Sequence, residues 1–360
     1  MASLLDYKCP NCGGNLVFDA VAGALVCDNC GSRYDPGQFQ AVYQAGRPQA
    51  QAPAGADSAS RAEGSTWPTG FGQYTCPSCG AAVVAEATAA AGSCPYCRSP
   101  VVMTAQVAGE LAPDLVVPFK TTRDQAVEAL RKLYLNKRLL PKVFAAQNFV
   151  DEVKGVYVPF WLFDFDTEIH ERYIMRDVSR RRHGSTEHIT TREYAAERAG
   201  RARFMGIPVD GSTNMPDPIM ESVEPFDLSQ SVLFRPSYLS GFLAERYDVD
   251  SNQAHARAHD RLTKSAGTLF RDTVTGHQTI KPAGSSVTVT KMAVHYALLP
   301  VWMLTTIWRD QRFTFAMNGQ TGRLIGDLPL DRQAYWRWLG LLFSVSAVVA
   351  GGLAALAVAL

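Results

Sequence analysis

Eight cysteines and their spacing constrain this chain more than any other feature. They form two cassettes, each reading C-x2-C-x14-C-x2-C, and Cys9, Cys12, Cys27 and Cys30 map onto Cys76, Cys79, Cys94 and Cys97 by a constant shift of 67 residues. That regularity points to an internal duplication. A C-x2-C turn presents two thiolates on one side of a tight loop, and two such loops complete a tetrahedral four-sulfur shell with Zn–S distances of about 2.3 Å. Gly13, Gly31 and Gly80 follow their cysteines, where the turn needs backbone conformations that glycine tolerates. Between the knuckles of the first cassette, NLVFDAVAGALVC reads as two short strands around a turn near Ala22 and Gly23. Such a ribbon has little apolar surface of its own, so bound metal is expected to supply most of its folding free energy, roughly 10 to 16 kcal/mol for structural sites of this type.

The expected ligands are therefore Cys9, Cys12, Cys27 and Cys30 for one structural Zn2+ and Cys76, Cys79, Cys94 and Cys97 for a second. Four thiolates close the shell, whereas catalytic zinc needs an open position. Iron is the chemical alternative, because a four-thiolate site accepts it. The N-terminal MASLLDYKCPNC lacks the basic segment and apolar core of a secretory signal, which favours a reducing compartment over disulfides.

At 360 residues and 47% hydrophobic, the chain can build two or three domains with packed cores. The fold class expected is α+β: two small four-cysteine zinc ribbons, a β-rich central α+β domain and a single C-terminal transmembrane helix. The boundaries read as ribbon 1 over 1–36, a flexible Ala/Gly/Gln/Ser/Pro linker over 37–72, ribbon 2 over 73–105, the central domain over 106–331, and a juxtamembrane segment with the apolar helix over 332–360. The linker makes the ribbons separate beads unless Trp67 and Phe71 dock. In the central domain, Thr122 and Gln125 form a capping box ahead of a helix with Ala126, Val127, Leu130, Leu133 and Tyr134 on one stripe. GVYVPFWLFDFDTEIHERYIM and SSVTVTKMAVHYALLPVWMLTTIW read as strands, RFTFAMNGQTGRLIG as a hairpin. Helices are expected near YLSGFLAERYDV and along SNQAHARAHDRLTKSAGTLF, the second with Ala254, Ala258, Leu262, Ala266 and Leu269 on one face. VYVPFWLFDF and HYALLPVWMLTTI share an aromatic, proline, tryptophan pattern that suggests a second duplication, with Pro159 and Pro300 at strand starts or edges.

From Leu339 to Leu360 the chain carries no charge, and as a helix it would span roughly 33 Å against a hydrocarbon core of roughly 30 Å. Tyr335, Trp336 and Trp338 suit an interfacial belt, and Arg332 and Arg337 the cytoplasmic side. The reading is a tail anchor: a single-pass protein of the cell membrane with its N-terminal bulk cytoplasmic. No phosphate-binding loop, G-x-S-x-G elbow, dinucleotide fingerprint or H-E-x-x-H pair occurs, so no enzyme is expected. His255 and His259 read as a helix face, and Asp164 and Asp166 share a strand face without a third ligand. Arg180, Arg181 and Arg182 read as a solvated basic hairpin in which nearby acids offset much of the charge, and the net charge of +1 gives no general push toward nucleic acid.

The paired CPxCG knuckles, VPFWLFDFD, IPVDGSTNMPDPIMESVEPFD, YLSGFLAERYDVD, YALLPVWMLTTIW and FAMNGQTGRLIGDLP together resemble a family of uncharacterised bacterial membrane proteins. These are usually labelled transcription-factor-B-type zinc-ribbon-containing proteins and sometimes mislabelled as primosomal or superfamily II helicases. The resemblance implies a metal-binding, membrane-linked protein and transfers the two four-cysteine sites. The function expected is a non-enzymatic membrane adaptor whose ribbons recognise a protein partner, with no small-molecule substrate evident. The alternative is a zinc-ribbon protein binding nucleic acid, although the ribbons carry few cations for phosphate.

Overall fold

The computed structural model describes residues 2–39, 71–103, 106–108, 111–134, 137, 139–141, 153–308, 311–326 and 328–359. Residues 40–70, with most of the expected linker and Trp67, lie outside them, as does the side chain of Phe71. In chain order the elements are β1 (Ala2–Leu5), β2 (Leu16–Asp19), β3 (Ala24–Cys27), β4 (Arg33–Tyr34), β5 (Phe71–Thr75), β6 (Ala82–Glu86), β7 (Ala89–Ser93), β8 (Pro100–Met103), β9 (Leu115–Val116), α1 (Arg123–Tyr134), β10 (Lys154–His183), β11 (Thr186–Asp210), α2 (Asp217–Val223), β12 (Val232–Leu233), β13 (Leu243–Glu245), α3 (Ser251–Arg271), β14 (Thr279–Trp308), β15 (Gln311–Asn318), β16 (Leu324–Gly326) and α4 (Arg332–Ala359). Except for β2, β3 and β4, which form a small sheet, the strands join one thirteen-stranded sheet among the described residues.

Its backbone is the antiparallel pair β10 and β14, in register from Lys154↔Met303 to Arg176↔Thr279, with β11 on the other edge of β10. Alternation puts Phe163, Phe165, Ile169, Tyr173 and Met175 on one buried face. Helix α3 covers part of it through Ala254, Ala258 and Leu262, the two small alanines letting the helix pack against Phe163 and Phe165. Leu269, expected on that stripe, is 50% exposed. Phe270 instead reaches the core, against Tyr173 and Val274. Past Arg176, β10 and β11 run on as a two-stranded ribbon that turns at Gly184 (φ +62), and Arg180, Arg181 and Arg182 near its tip are exposed. The helix expected near YLSGFLAERYDV is not formed. Pro236–Leu239 makes a single 3-10 turn, Gly241 takes φ +88, and Leu243–Glu245 is drawn into the sheet as β13, where ladder hydrogen bonds replace helical ones.

The second duplication is legible in the pairing, and it extends well past the strand motif. β9 pairs parallel with β14 at Ala297↔Leu115, and β13 pairs parallel with β10 at Val156↔Leu243. The units β9-α1-β10-β11 and β13-α3-β14-β15 thus exchange their first strands about a pseudo-two-fold axis near the facing pair Val158↔Leu299. Matching details recur in both. Trp161 Nε1 donates to Val249 O at 2.8 Å and Trp302 Nε1 to Thr121 Oγ1 at 2.9 Å. The expected Thr122/Gln125 capping box on α1 is present, and Asp250/Gln253 repeats it on α3. Gly211 N donates to Pro159 O at 2.9 Å and Gly319 N to Pro300 O at 2.8 Å. The two prolines sit inside long strands rather than at their starts. Each lies where the neighbour on one edge changes, from β13 to β11 at Pro159 and from β9 to β15 at Pro300, so the missing N–H interrupts no ladder.

The cassettes are docked onto this body and are not separate beads. β1 pairs with both β5 and β8, and β7 pairs with β13. Tyr7, Leu16, Phe18 and Leu25 share one core with Phe119, Tyr157 and Phe242. Ser240 fastens β2 at both ends, its Oγ donating to Leu16 O at 2.6 Å and its carbonyl accepting from Phe18 N at 3.0 Å.

Candidate metal centres

All four knuckles are built alike. Each first cysteine's carbonyl accepts an N–H from the residue four positions on, Gly13 to Cys9 at 2.8 Å and Gly31, Gly80 and Arg98 to Cys27, Cys76 and Cys94 at 2.9 Å. That closure forces a left-handed residue, with φ +72 at Gly13, +71 at Gly31 and +73 at Gly80. Arg98 holds the same place at φ +60, the one non-glycine residue with positive φ among the described residues. The backbone turns bring the predicted ligands together as two groups, each with all four sulfurs within 4.8 Å of one another.

The donor geometry fits a tetrahedral metal. Cys9 and Cys30 Sγ are 3.6 Å apart, Cys12 and Cys27 3.5 Å, Cys76 and Cys97 3.7 Å, and Cys79 and Cys94 3.9 Å. A shell with Zn–S of about 2.3 Å has edges of about 3.8 Å, whereas a disulfide needs about 2.05 Å. All eight cysteines are free thiols. In each group the first and third cysteines are buried and the second and fourth exposed, so one side of each shell is walled by the protein.

The electrostatics of the two groups suit a cation. Burial raises the Cys9 thiol, but hydrogen bonds from Tyr34, the Asn11 and Cys12 amides and Cys30 outweigh it and bring the pKa to about 6. The Ser99 hydroxyl and amide bring Cys97 to about 6. Burial pushes Cys76 up to about 12. At Cys27 the Cys30 amide acts to lower the value, yet burial and the neighbouring thiols Cys12 and Cys30 prevail and push it up to about 11. Hydrogen bonds from Ser32 lower Cys30 as well, and at Cys79 the Ala81 amide acts to lower the value yet burial and Cys97 raise it, so each group mixes thiols that ionise readily with thiols that resist, and four adjacent thiolates coexist only around a positive ion. Tyr34, whose Oη lies 3.5 Å from Cys9 Sγ, and Ser32, whose Oγ lies 3.1 Å from Cys30 Sγ, support the first group. Sequence reading missed them because hydroxyl residues near cysteines have no spacing rule. The break in the glycine pattern at Arg98 is visible in CPYCR itself.

The other residues weighed from sequence are brought into structural contacts. His255 and His259 are half-buried on α3 with rings 6.3 Å apart, and His255 lies edge-on to Phe163 and Phe165 rather than on a solvated face. Asp164 accepts the Gly206 amide at 2.6 Å across a β-bulge, and Asp166 pairs with Arg203, which lowers its carboxyl pKa. Neither pair joins a metal-binding group among the described residues.

The family model of Trm112p-like proteins matches residues 8–35, the first cassette and its flanks. Over the whole length the chain resembles the uncharacterized protein YdjG of Bacillus subtilis (strain 168), 28% identical over 336 residues that cover 93% of each chain. Neither match carries the transcription-factor-B label of the sequence resemblance. No solved structure matches the chain. The sulfur geometry gives two four-cysteine groups able to hold metal, and the family match falls on the first of them.

Proposed function

We propose that the chain is a non-enzymatic adaptor that holds two structural Zn2+ ions and is tethered by α4 to the cytoplasmic face of a membrane, with the ribbons as its protein-recognition surface. Zinc is preferred over iron because a closed four-thiolate shell with no further role asks only for a redox-inert tetrahedral ion. The observation that carries the reading is α4. It is long and apolar enough to cross a membrane, and none of its apolar window is buried by the rest of the protein. Phe343, Val345, Val348 and Val349 are all more than half exposed, a surface that water does not tolerate and lipid does. The finer likeness to transcription-factor-B-type membrane proteins is in keeping with this.

The test is affinity capture of the full-length protein from gently solubilised membranes, with metal analysis on the same sample. Two zinc ions per chain are expected, falling to one in Cys9→Ser and in Cys76→Ser, together with a co-purifying protein that one or both variants lose. Recovery of the same proteins by wild type and both variants would remove the ribbons from recognition. A second reading, nucleic-acid binding, draws on the exposed Arg180, Arg181 and Arg182 of the two-stranded ribbon, a shape that a major groove admits. Binding to duplex DNA that falls steeply with salt would favour it.

A further inference from the structure

We propose that the cleft between the two cassettes and the central domain binds an extended peptide segment bearing an acidic side chain, which enters as a short guest strand between β7 and β10. The proposal rests on the reading of the ribbons as a recognition surface and names the chemistry that they recognise. The cleft encloses about 570 Å3. Asp19 and Asp28 from ribbon 1, Arg98 from ribbon 2, Lys154 from β10 and the aromatic Phe242 and Trp302 are among the residues that line it.

The internal duplication supplies a comparison within the molecule. In the first unit the chain ahead of β9 stays in the sheet. Asp114 N donates to Tyr296 O at 2.8 Å, its Oδ2 accepts from Tyr296 N at 2.8 Å, and its carbonyl accepts from Phe234 N at 3.1 Å. One acidic residue thus bridges β14 to the chain following β12. In the second unit the positions of Asp114, Tyr296 and Phe234 are taken by Phe242, Gly155 and Ser93, as the registers Val156↔Leu243 and Ala244↔Ala91 require. There the chain leaves the sheet, Phe242 N turning back to Leu239 O at 3.1 Å. β13 begins at Leu243, as β9 begins at the equivalent Leu115, but the residue ahead of it is turned away, and the Gly155 and Ser93 amides meet no counterpart of Asp114 among the described residues. Gly155, Ser93 and Phe242 all line the cleft. Strand alternation aims the Gly155 amide into the slot, since the carbonyl of Pro159, an even number of residues along β10, points to the same edge, and turns the Ser93 amide away from β8, since the next residue, Cys94, donates its amide to Ser99 O on that side.

The two backbone donors thus share one cleft with the exposed Arg98 and Lys154, and with Arg123, whose Nε donates to Val153 O at 3.2 Å. Arg98 and Lys154 are exposed and form no ion pair among the described residues. Arg98 holds the strained left-handed position that the other three knuckles give to glycine, so a side chain is present where the turn itself asks for none. A guest strand satisfies these groups by main-chain pairing along β7 and β10, and its carboxylate meets the cations, as in strand addition to an open sheet edge.

The test uses the zinc-loaded full-length protein in detergent micelles and a fluorescein-labelled octapeptide of alternating valine and glutamate, read by anisotropy. The valine and lysine counterpart is the control. The glutamate peptide is expected to bind, to protect the Ser93 and Gly155 amides from hydrogen exchange, and to bind about tenfold more weakly to Arg98→Gly and to Lys154→Gln. Arg98→Gly restores the residue of the other knuckles and Lys154 is exposed, so both variants are expected to fold. Equal affinity for the two peptides, or glutamate binding unchanged in both variants, overturns the proposal. The capture experiment separates this site from the adaptor reading. If a partner stays with Arg98→Gly and Lys154→Gln but is lost from Cys9→Ser or Cys76→Ser, the adaptor stands and the cleft falls. If the peptide binds as described and no protein is captured from membranes, the cleft stands and the adaptor falls.

Discussion

At Arg98 the fourth knuckle carries a side chain in a conformation that the other three leave to glycine. Its φ of +60 brings Cβ against the following carbonyl, a clash worth roughly 1–2 kcal/mol for an L-residue. Gly80 has open space where a Cβ would go, so Gly80→Ala adds the backbone cost alone. The expected outcome is a second site weakened by about 1 kcal/mol in Gly80→Ala and strengthened by up to about 1 kcal/mol in Arg98→Gly, read by zinc competition against a chelator. Asp210 offers a second comparison between equivalent positions, since its counterpart Asn318 is uncharged. Asp210 is 2% exposed, and burial pushes its carboxyl up to about 6 although Arg257 lies 2.8 Å away. Desolvation thus outweighs the ion pair. A carboxyl whose folded pKa is raised above its unfolded value near 3.9 contributes stability that is full below that value and lost as pH rises through the folded one. Chemical denaturation of the wild type should show this loss between about pH 4 and about 6, and Asp210→Asn should flatten that part of the profile.

The elements differ in how far local sequence decides them. The β2–β3 ribbon, the α1 capping box and the buried stripe of α3 were legible, because each is written in a dozen residues of turn chemistry or helical period. The two four-cysteine groups were legible for the same reason. β13 was not, since three residues carry no periodicity and their pairing depends on β7 and β10 arriving from elsewhere in the chain. The docking of ribbon 1 was not legible either, because it turns on a contact between residues far apart in sequence. Gly241, at φ +88, lies so close to β2 that an added Cβ would stand 2.2 Å from Val17 Cγ1. Gly241→Ala is therefore expected to cost about 2 kcal/mol or more, from the clash and the left-handed backbone together. The loss should be local. Faster hydrogen exchange is expected at the Phe18 amide, which bonds Ser240 O, while the second site keeps its metal. Unchanged exchange at Phe18 would show that ribbon 1 is held by other contacts.

Over the whole molecule, strand direction separates two ends. β14 runs from the base of the arginine-tipped ribbon toward Trp308, β15 returns, and β16 turns again, so the chain leaves the sheet for α4 heading away from that tip. Strands of thirty residues at about 3.3 Å per residue reach on the order of 100 Å, from the core around Val156 to the basic tip of the arm. With α4 in a bilayer, the arm and its basic tip would project from the membrane rather than lie on it. The apolar run was legible from residue 339 onward, but the helix is continuous from Arg332, with Asp331 accepting the Gln333 and Ala334 amides at 2.9 and 3.1 Å and donating its own amide to Leu139 O at 2.8 Å. That cap fixes the start of α4 to the body, so a change in the apolar helix should move the protein without unfolding it. Val348 is 75% exposed near the middle of the apolar run. Val348→Arg is expected to oppose insertion by about 2.5–3.5 kcal/mol, the cost of an arginine at a helix centre, and to shift protein from the carbonate-resistant membrane pellet to the supernatant. Metal content and the arm's hydrogen exchange should stay unchanged. Wild-type protein found in the supernatant would mean instead that α4 lies against another protein, and Val348→Arg would then disrupt that assembly.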